Sequence, residues 1–169
     1  MNIIKKQYWD LNNEDMHKLY ELGQASGALE SVFYDTSVSP ELFELFARRA
    51  ECFGAIQDEQ GTFIGLFFLN HFEGGSARLN LGLFNEQPIS VIAWEAVIEW
   101  CFNTFEFRCL TFVMPAHQQK RTVVSALGWQ YLGIIPGMCW VEKRKRCVDG
   151  HLYVTVPYTH RTLPTKRIE

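Results

Sequence analysis

The sequence lacks a long apolar run and a signal-like start, and each absence excludes a class of protein. Its apolar segments are shorter than the roughly 20 residues that a membrane-spanning helix needs. Residues 1–8 contain no apolar stretch followed by a small-residue cleavage site, as a secretory leader would. We therefore expect a cytoplasmic protein with no membrane partner.

Paired cysteine motifs are also missing. The five cysteines form no Cys-x-x-Cys pair, and an odd number in apolar surroundings predicts reduced, buried thiols rather than a disulfide framework. No His, Cys and Asp residues have the spacing of a zinc site, so no metal is expected. The cysteines are Cys52, Cys101, Cys109, Cys139 and Cys147.

Net charge is small, −3 over 169 residues, but it is unevenly distributed. Residues 140–169 carry seven Lys or Arg and three Asp or Glu. This basic segment is typical of a solvated hairpin and a loose tail. A nucleic-acid surface is the alternative, and we disfavour it because no aromatic-rich RNA-binding motif accompanies the charge. The length predicts one domain, 1–169, with its core at about 2–156 and a tail at 157–169.

Helical and strand patterns follow one another in a definite order. Residues 2–8 can form an edge strand. Helical spacing of apolar residues begins near Asn12 and is expected to stop at Gly23. Ser39-Pro40-Glu41 has the composition of a helix start, and that helix should end near Ala50.

Turn signals then predict a three-stranded meander at about 52–57, 62–72 and 77–84. A helix at about 91–105 is apolar around much of its circumference and should be buried against a sheet. It is followed by an apolar strand at 108–114 and a helix at 118–127 that closes at Gly128. Strands are expected at 129–135, 138–142 and 151–156, with turns at 136–137 and 148–150.

Two motifs occur in this order, Ile92-Ala93-Trp94-Glu95-Ala96-Val97 and Leu127-Gly128-Trp129, and both resemble motifs of the Gcn5-related N-acetyltransferases, the GNAT superfamily. Ile92-Ala93-Trp94-Glu95-Ala96-Val97 is similar to a helical segment of the branch that acetylates ribosomal-protein N-termini. The strand, turn and helix that begin at Leu110 end in the corner Leu127-Gly128-Trp129, which resembles the family's Leu-Gly-Phe corner. The resemblance implies an α/β (α+β) fold: a central mixed sheet, an N-terminal helical pair, a buried crossover helix, a second helix and a C-terminal antiparallel hairpin.

The resemblance also implies acetyl-CoA as cofactor. Its pantetheine arm would run along Asn80-Leu81-Gly82-Leu83-Phe84, where that strand separates from the strand at 109–114. Gly82 suits a close backbone approach, and an ordinary strand glycine is an equal alternative. The implied cofactor contacts are Leu81, Gly82, Leu83, Phe84, Gln87, Ser90, His117 and Lys120.

The chain departs from the family pattern at four positions. Carried over residue by residue, the two glycines of the pyrophosphate loop fall on Ile89 and Val91, and the usual tyrosine acid falls on Val124. His117 replaces the family's asparagine. A histidine there can bond pantetheine or act as an acid near neutrality, whereas a polar residue opening a surface turn is the plainer interpretation.

Three further residues are candidate catalytic bases. They are Glu73, His71 and Asn80, the last acting through a bound water. Glu73 adjoins two glycines, which favours a solvated turn, and His71 ends a strand near the expected substrate entrance. The full catalytic set predicted from the sequence is His117, Glu73, His71 and Asn80.

These observations support two functions. The first is an acyl-CoA-dependent N-acetyltransferase acting on a small-molecule amine or a protein N-terminus. The second is a GNAT-fold protein without catalysis that binds a protein partner, similar to head-assembly factors of tailed phages. An unrelated α/β binding module fits the element order less well. The sequence contains no acidic cluster that would indicate a polyamine or aminoglycoside acceptor.

Overall fold

A computed structural model describes residues 4–33, 38–84, 89–118, 124, 126–141 and 144–157. The described strands form one mixed sheet of seven strands in the order β1-β2-β3-β4-β5-β7-β6. All neighbouring pairs are antiparallel except β4 and β5, which are parallel. The strands are β1 (Ile4–Gln7), β2 (Cys52–Gln57), β3 (Phe63–Glu73), β4 (Ser76–Leu83), β5 (Cys109–Pro115), β6 (Gln130–Val141) and β7 (Arg146–Thr155).

Four helices whose bounds are described pack on this sheet. They are α1 (Asn13–Ser26), α2 (Ala28–Phe33), α3 (Pro40–Arg49) and α4 (Ile89–Thr104). Helix α3 begins as its sequence predicts, because the Ser39 side chain accepts a hydrogen bond from the Leu42 backbone N–H at 3.2 Å. The predicted mixed α+β architecture is therefore confirmed, with a short α2 between the two longer N-terminal helices.

The prediction that α1 ends at Gly23 is wrong. The helix continues to Ser26 and ends at Gly27, whose φ of 75° is the left-handed conformation of a helix C-cap. Gly23 is instead a packing residue, since a Cβ atom there would lie 2.8 Å from the Leu29 side chain of α2. The small residue lets α2 fold back against α1.

Two apolar clusters cover the two faces of the sheet. Helix α4 lies on one face and contributes Trp94, Val97, Ile98 and Cys101 to a core shared with β3, β4 and β5. Helices α1, α2 and α3 lie on the other face and form a core rich in phenylalanine, in which Phe43 and Phe53 are edge-to-face at 5.7 Å. Helix α4 is buried as its apolar circumference predicted.

The C-terminal turns were placed wrongly. Residues 136–137 lie inside β6 and residues 148–150 inside β7, so the three predicted strands are two long ones. A break in the register between Ile135 and Cys139 accommodates Pro136, which has no N–H to donate. Gly137 takes a φ of 61°, and its N–H donates to the Asp149 carboxylate at 2.9 Å. The antiparallel hairpin itself is confirmed.

The second predicted helix is described only at Val124 and Ala126, both helical, and at its end. Gly128 has the expected left-handed φ, 71°, and the Trp129 N–H donates to the Val124 carbonyl at 3.3 Å. The predicted tail from 158 onward lies outside the described residues. No described helix is both long and apolar enough to span a lipid bilayer.

Candidate functional site

The two parallel strands at the centre of the sheet separate along their length. β4 and β5 pair only at Ser76–Cys109, Ala77–Leu110 and Arg78–Thr111. Beyond that point β4 continues to pair with β3, and β5 continues to pair with β7. Residues 79–83 and 112–115 therefore face each other without forming a ladder. We call this opening the wedge, and it is the strand separation that the GNAT resemblance implied.

The side chains of β4 alternate between the two faces of the sheet along the wedge. Leu79 and Leu81 belong to the core under α4. Gly82 faces the opposite side, where a Cβ atom would lie 2.7 Å from Val32 Cγ2 and 3.2 Å from Ala28 Cβ. Helix α2 thus crosses directly over Gly82. Close helix packing accounts for this glycine without any ligand.

Asn80 shares that face with Gly82 and is 5% exposed. Its side-chain Nδ2 donates to Oδ1 of Asn70 on β3 at 3.1 Å. The hydrogen bond fixes the orientation of the buried Asn80 amide on the β4 side of the wedge. The predicted position of Asn80 beside the strand separation thus matches the structure, while its role as a base stays a prediction.

His117 lies just past the end of β5. Its Nδ1 is buried and has no hydrogen-bond partner among the described residues. Burial lowers the pKa of His117 from 6.5, the charge of Arg144 lowers it further, and Glu30 opposes both effects. His117 is therefore neutral at pH 7, which suits a proton acceptor or a hydrogen-bonding group better than the acid that the sequence suggested.

Two charged residues from other elements act on His117, which follows β5. Glu30 on α2 raises its pKa, and Arg144 in the turn between β6 and β7 lowers it. Sequence reasoning assigned no role to Glu30 or Arg144, because residues so distant along the chain give no local signal of their proximity.

Arg78 was also missed as a site residue. It is the last residue of β4 paired with β5, and its Nε is buried without a hydrogen-bond partner among the described residues. Its signal was present in the sequence. Arg78 and Asn80 are the polar members of a strand that otherwise alternates with leucines.

The other two predicted bases lie at the opposite end of β4. Glu73 pairs with Ser76 and is exposed, and His71 is exposed in the irregular segment of β3 before it. Seven residues of β4 separate Ser76 from Leu83, on the order of 20 Å. His71 has a φ of 53°, and this bend accompanies packing of Phe72 on Phe107 at 5.4 Å between ring centroids. Both therefore lie beside the paired residues of β4, before the wedge opens, and their role as bases stays a prediction.

Helix α4 begins near the open end of the wedge. Its first residue, Ile89, follows Phe84 by five residues, a reach of at most about 18 Å. A helix N-terminus presents unpaired N–H groups and a partial positive charge, which favour an anion. No acidic residue lies in the first turn to oppose one. Among the described residues, no group of three or more His, Cys, Asp or Glu is placed to hold a metal ion.

By sequence, the chain matches no family profile and no curated protein. Its structure is similar to solved N-acetyltransferases. The spermidine N-acetyltransferase from Vibrio cholerae, in complex with CoA and spermine, has a TM-score of 0.78 at 13% identity, with 94% of this chain and 97% of that chain covered. The GNAT-family acetyltransferase from Bacillus anthracis has a TM-score of 0.75 at 9% identity, covering 92% and 95%.

The N-acetyltransferase from Staphylococcus aureus Mu50 has a TM-score of 0.71 at 16% identity, covering 92% of this chain and 98% of that chain. All three similarities span nearly the whole of each chain. The chain has the GNAT fold. At these identities the likeness concerns the fold, and the chemistry must be argued from this chain's own residues.

Within the GNAT fold, the side chains of the predicted cofactor strand point into the two cores. Leu81 and Leu83 pack with α4, and Phe84 packs with α1, α2 and α3. Contacts from this strand to a ligand in the wedge must therefore come from its backbone. Gln87 and Lys120 lie outside the described residues, and the Ser90 side chain does so as well.

The structure also describes two positions at which this chain departs from the GNAT pattern, Val91 and Val124. Val91, at the second glycine position of the pyrophosphate loop, is half-buried and packs against the α4 core. Val124, at the position of the tyrosine acid, is buried in the same core. Both side chains serve packing, so neither contributes a polar group to the site.

Proposed function

We propose that the protein is an acyl-CoA-dependent N-acetyltransferase that transfers an acetyl group to an amine of a small molecule or a protein N-terminus. The observation that carries this proposal is the wedge, in which two parallel strands of a GNAT sheet stop pairing after three residue pairs. It leaves two strand edges facing one another, and backbone groups on both edges do not pair with the other strand.

The wedge fits the pantetheine arm of acetyl-CoA. That arm is extended and contains two amides, which can pair with the backbone N–H and C=O groups of residues 79–83 and 112–115. The N-terminus of α4 is suited to the pyrophosphate. Bound there, acetyl-CoA supplies the acetyl group as a thioester. Contacts from Gln87, Ser90 and Lys120 to the cofactor remain predictions.

The residues at the wedge can position the acceptor and handle its proton. The neutral His117 imidazole can accept a proton from an incoming amine, directly or through a water. The Asn80 amide, which donates a hydrogen bond to Asn70, offers a polar group of fixed orientation beside the wedge. Holding the amine against the thioester can itself supply much of the rate enhancement. Such a site needs few specialised side chains.

A second candidate function is a GNAT-fold binding protein without catalysis, such as a phage assembly factor. The packing of Val91 and Val124 into the core favours it, since neither position offers the group that an active family member uses. Cytoplasmic location likewise remains a prediction from the sequence.

Calorimetric titration with acetyl-CoA distinguishes the two functions. We expect saturable binding, and we expect release of the CoA thiol when amines are added. The His117→Gln variant should bind acetyl-CoA normally but turn over about 10²- to 10⁴-fold more slowly, because it lacks the proton acceptor. His17→Gln is the matched control, since His17 is an exposed histidine on α1 paired with Glu21. No binding at millimolar acetyl-CoA would favour the assembly protein.

A further inference from the structure

Arg78 has an unmet hydrogen-bonding requirement at the point where the wedge opens. Its Nε is buried, and no described residue accepts a hydrogen bond from it. No carboxylate among the described residues forms an ion pair with it either.

Burying a guanidinium N–H without an acceptor is unfavourable, because the group loses water and gains nothing in exchange. A leucine or methionine would fill a place beside the core at no such cost. An arginine in this position is therefore suited to an anionic partner that comes from outside the chain. Guanidinium is the side-chain group best matched to a carboxylate, which it binds through parallel hydrogen bonds.

The Arg78 side chain belongs to the acceptor side of the wedge. It projects from the face of β4 that carries Asn80 and Gly82, the face covered by α2. The opposite face belongs to the apolar core under α4. A ligand that reaches the Arg78 guanidinium thus lies on the α2 face of the sheet.

The charge of Arg78 acts on a residue beyond its own level in the sheet. Thr111 and Val154 share its level in the sheet, whereas Cys139 pairs with Val148, six residues along β7. Burial raises the pKa of Cys139 to about 11, and the positive charge of Arg78 opposes that rise. Near His117, just past the end of β5, Arg144 adds a positive charge and Glu30 a negative one.

We propose that Arg78 binds the carboxylate of the acceptor, and that the acceptor is a carboxylated amine such as an amino acid. The inference rests on the proposed acetyltransferase function and narrows its substrate class. With the carboxylate on Arg78, the amine lies further along the wedge, toward Asn80. A polyamine is disfavoured because it would bring positive charge beside Arg78, unlike the spermine in the complex of the Vibrio cholerae enzyme.

Pairs of amines that differ only by a carboxylate test the proposal. The probes are L-alanine and ethylamine, L-phenylalanine and 2-phenylethylamine, and L-ornithine and putrescine. Binding of each is measured by calorimetry with and without CoA, and acetylation is measured by thiol release from acetyl-CoA. We expect at least one pair to favour the carboxylated member by about 10- to 100-fold, the range of a hydrogen bond to a charged group.

Arg78→Gln should abolish that preference, and Arg78→Lys should retain part of it. Arg108→Gln is the matched control, since Arg108 is an exposed arginine beside the β3–β4 turn. Thermal unfolding of each variant verifies its fold.

Each outcome bears on one claim. If acetyl-CoA binds and every pair favours the amine without the carboxylate, the carboxylate proposal is overturned while the acetyltransferase function stands. An equal loss of turnover for both members of a pair in Arg78→Gln also overturns it, because it assigns Arg78 to the reaction rather than to the acceptor. If acetyl-CoA does not bind, the proposed acetyltransferase function is wrong. The Arg78 site is still supported if the protein binds carboxylated amines more tightly and Arg78→Gln removes that preference.

Discussion

Replacing Gly82 by alanine tests how closely α2 is packed against the wedge. The new Cβ atom would lie 2.7 Å from Val32 Cγ2, well inside the 3.4 Å at which ordinary contact begins, and 3.3 Å from the Ala28 carbonyl oxygen. Overpacking of this kind costs about 1–3 kcal/mol, and the entropy that alanine removes from the unfolded chain offsets about 0.4–1 kcal/mol. We expect Gly82→Ala to lower the free energy of unfolding by about 1–2 kcal/mol, measured by urea denaturation.

A double-mutant cycle shows whether Val32 causes the loss. Val32→Ala alone should cost about 1–3 kcal/mol through lost burial. Combined with Gly82→Ala, it removes the clash, so the double variant should be more stable than the sum of the single effects by about 1 kcal/mol. Val97→Ala, a buried valine on the other face of the sheet, should be additive with Gly82→Ala. Additivity within about 0.5 kcal/mol for the Val32 pair as well would refute the proposed packing.

Three other predictions follow from local chemistry. Folding lowers the pKa of His117 from 6.5, so its contribution to stability is present above about pH 6.5 and is lost as the pH falls through the lowered value. His117→Gln should therefore reduce the decline in the urea midpoint between pH 7 and pH 5. Iodoacetamide should label the exposed Cys147 in the native protein, as detected by mass spectrometry. The buried thiols of Cys52, Cys101 and Cys139 should react only after unfolding, because burial raises the pKa of each, to about 11 for Cys52 and Cys139. Ser39→Ala should lower the unfolding free energy by about 1 kcal/mol in urea denaturation, and an unchanged value would show that the cap does not contribute.

Local chemistry in the sequence was sufficient for most element boundaries. Ser39 and Pro40 marked the start of α3, and the apolar run after Arg108 marked β5. The errors came from tertiary contacts. Gly23 resembled a helix end, but it is a contact with Leu29 of α2, and Pro136 resembled a turn, but a break in the β6–β7 register accommodates it.

The site was predictable only where it lies on consecutive residues. The resemblance to the GNAT family implied that β4 and β5 separate, and it placed Asn80 beside the opening. The proximity of Glu30 and Arg144 to His117 depends on how α2 and the β6–β7 hairpin pack, which no local pattern encodes. His71 and Glu73 were chosen for their chemistry, and the direction of β4 places them at its other end.

Hydrogen exchange with and without acetyl-CoA tests the central claim most directly. If the cofactor's arm lies between β4 and β5, amides within residues 79–83 and 112–115 should exchange more slowly in its presence, while those of β2 should be unchanged. Unchanged exchange in both segments at an acetyl-CoA concentration that saturates the protein would contradict the account, because the cofactor would then bind somewhere other than the wedge.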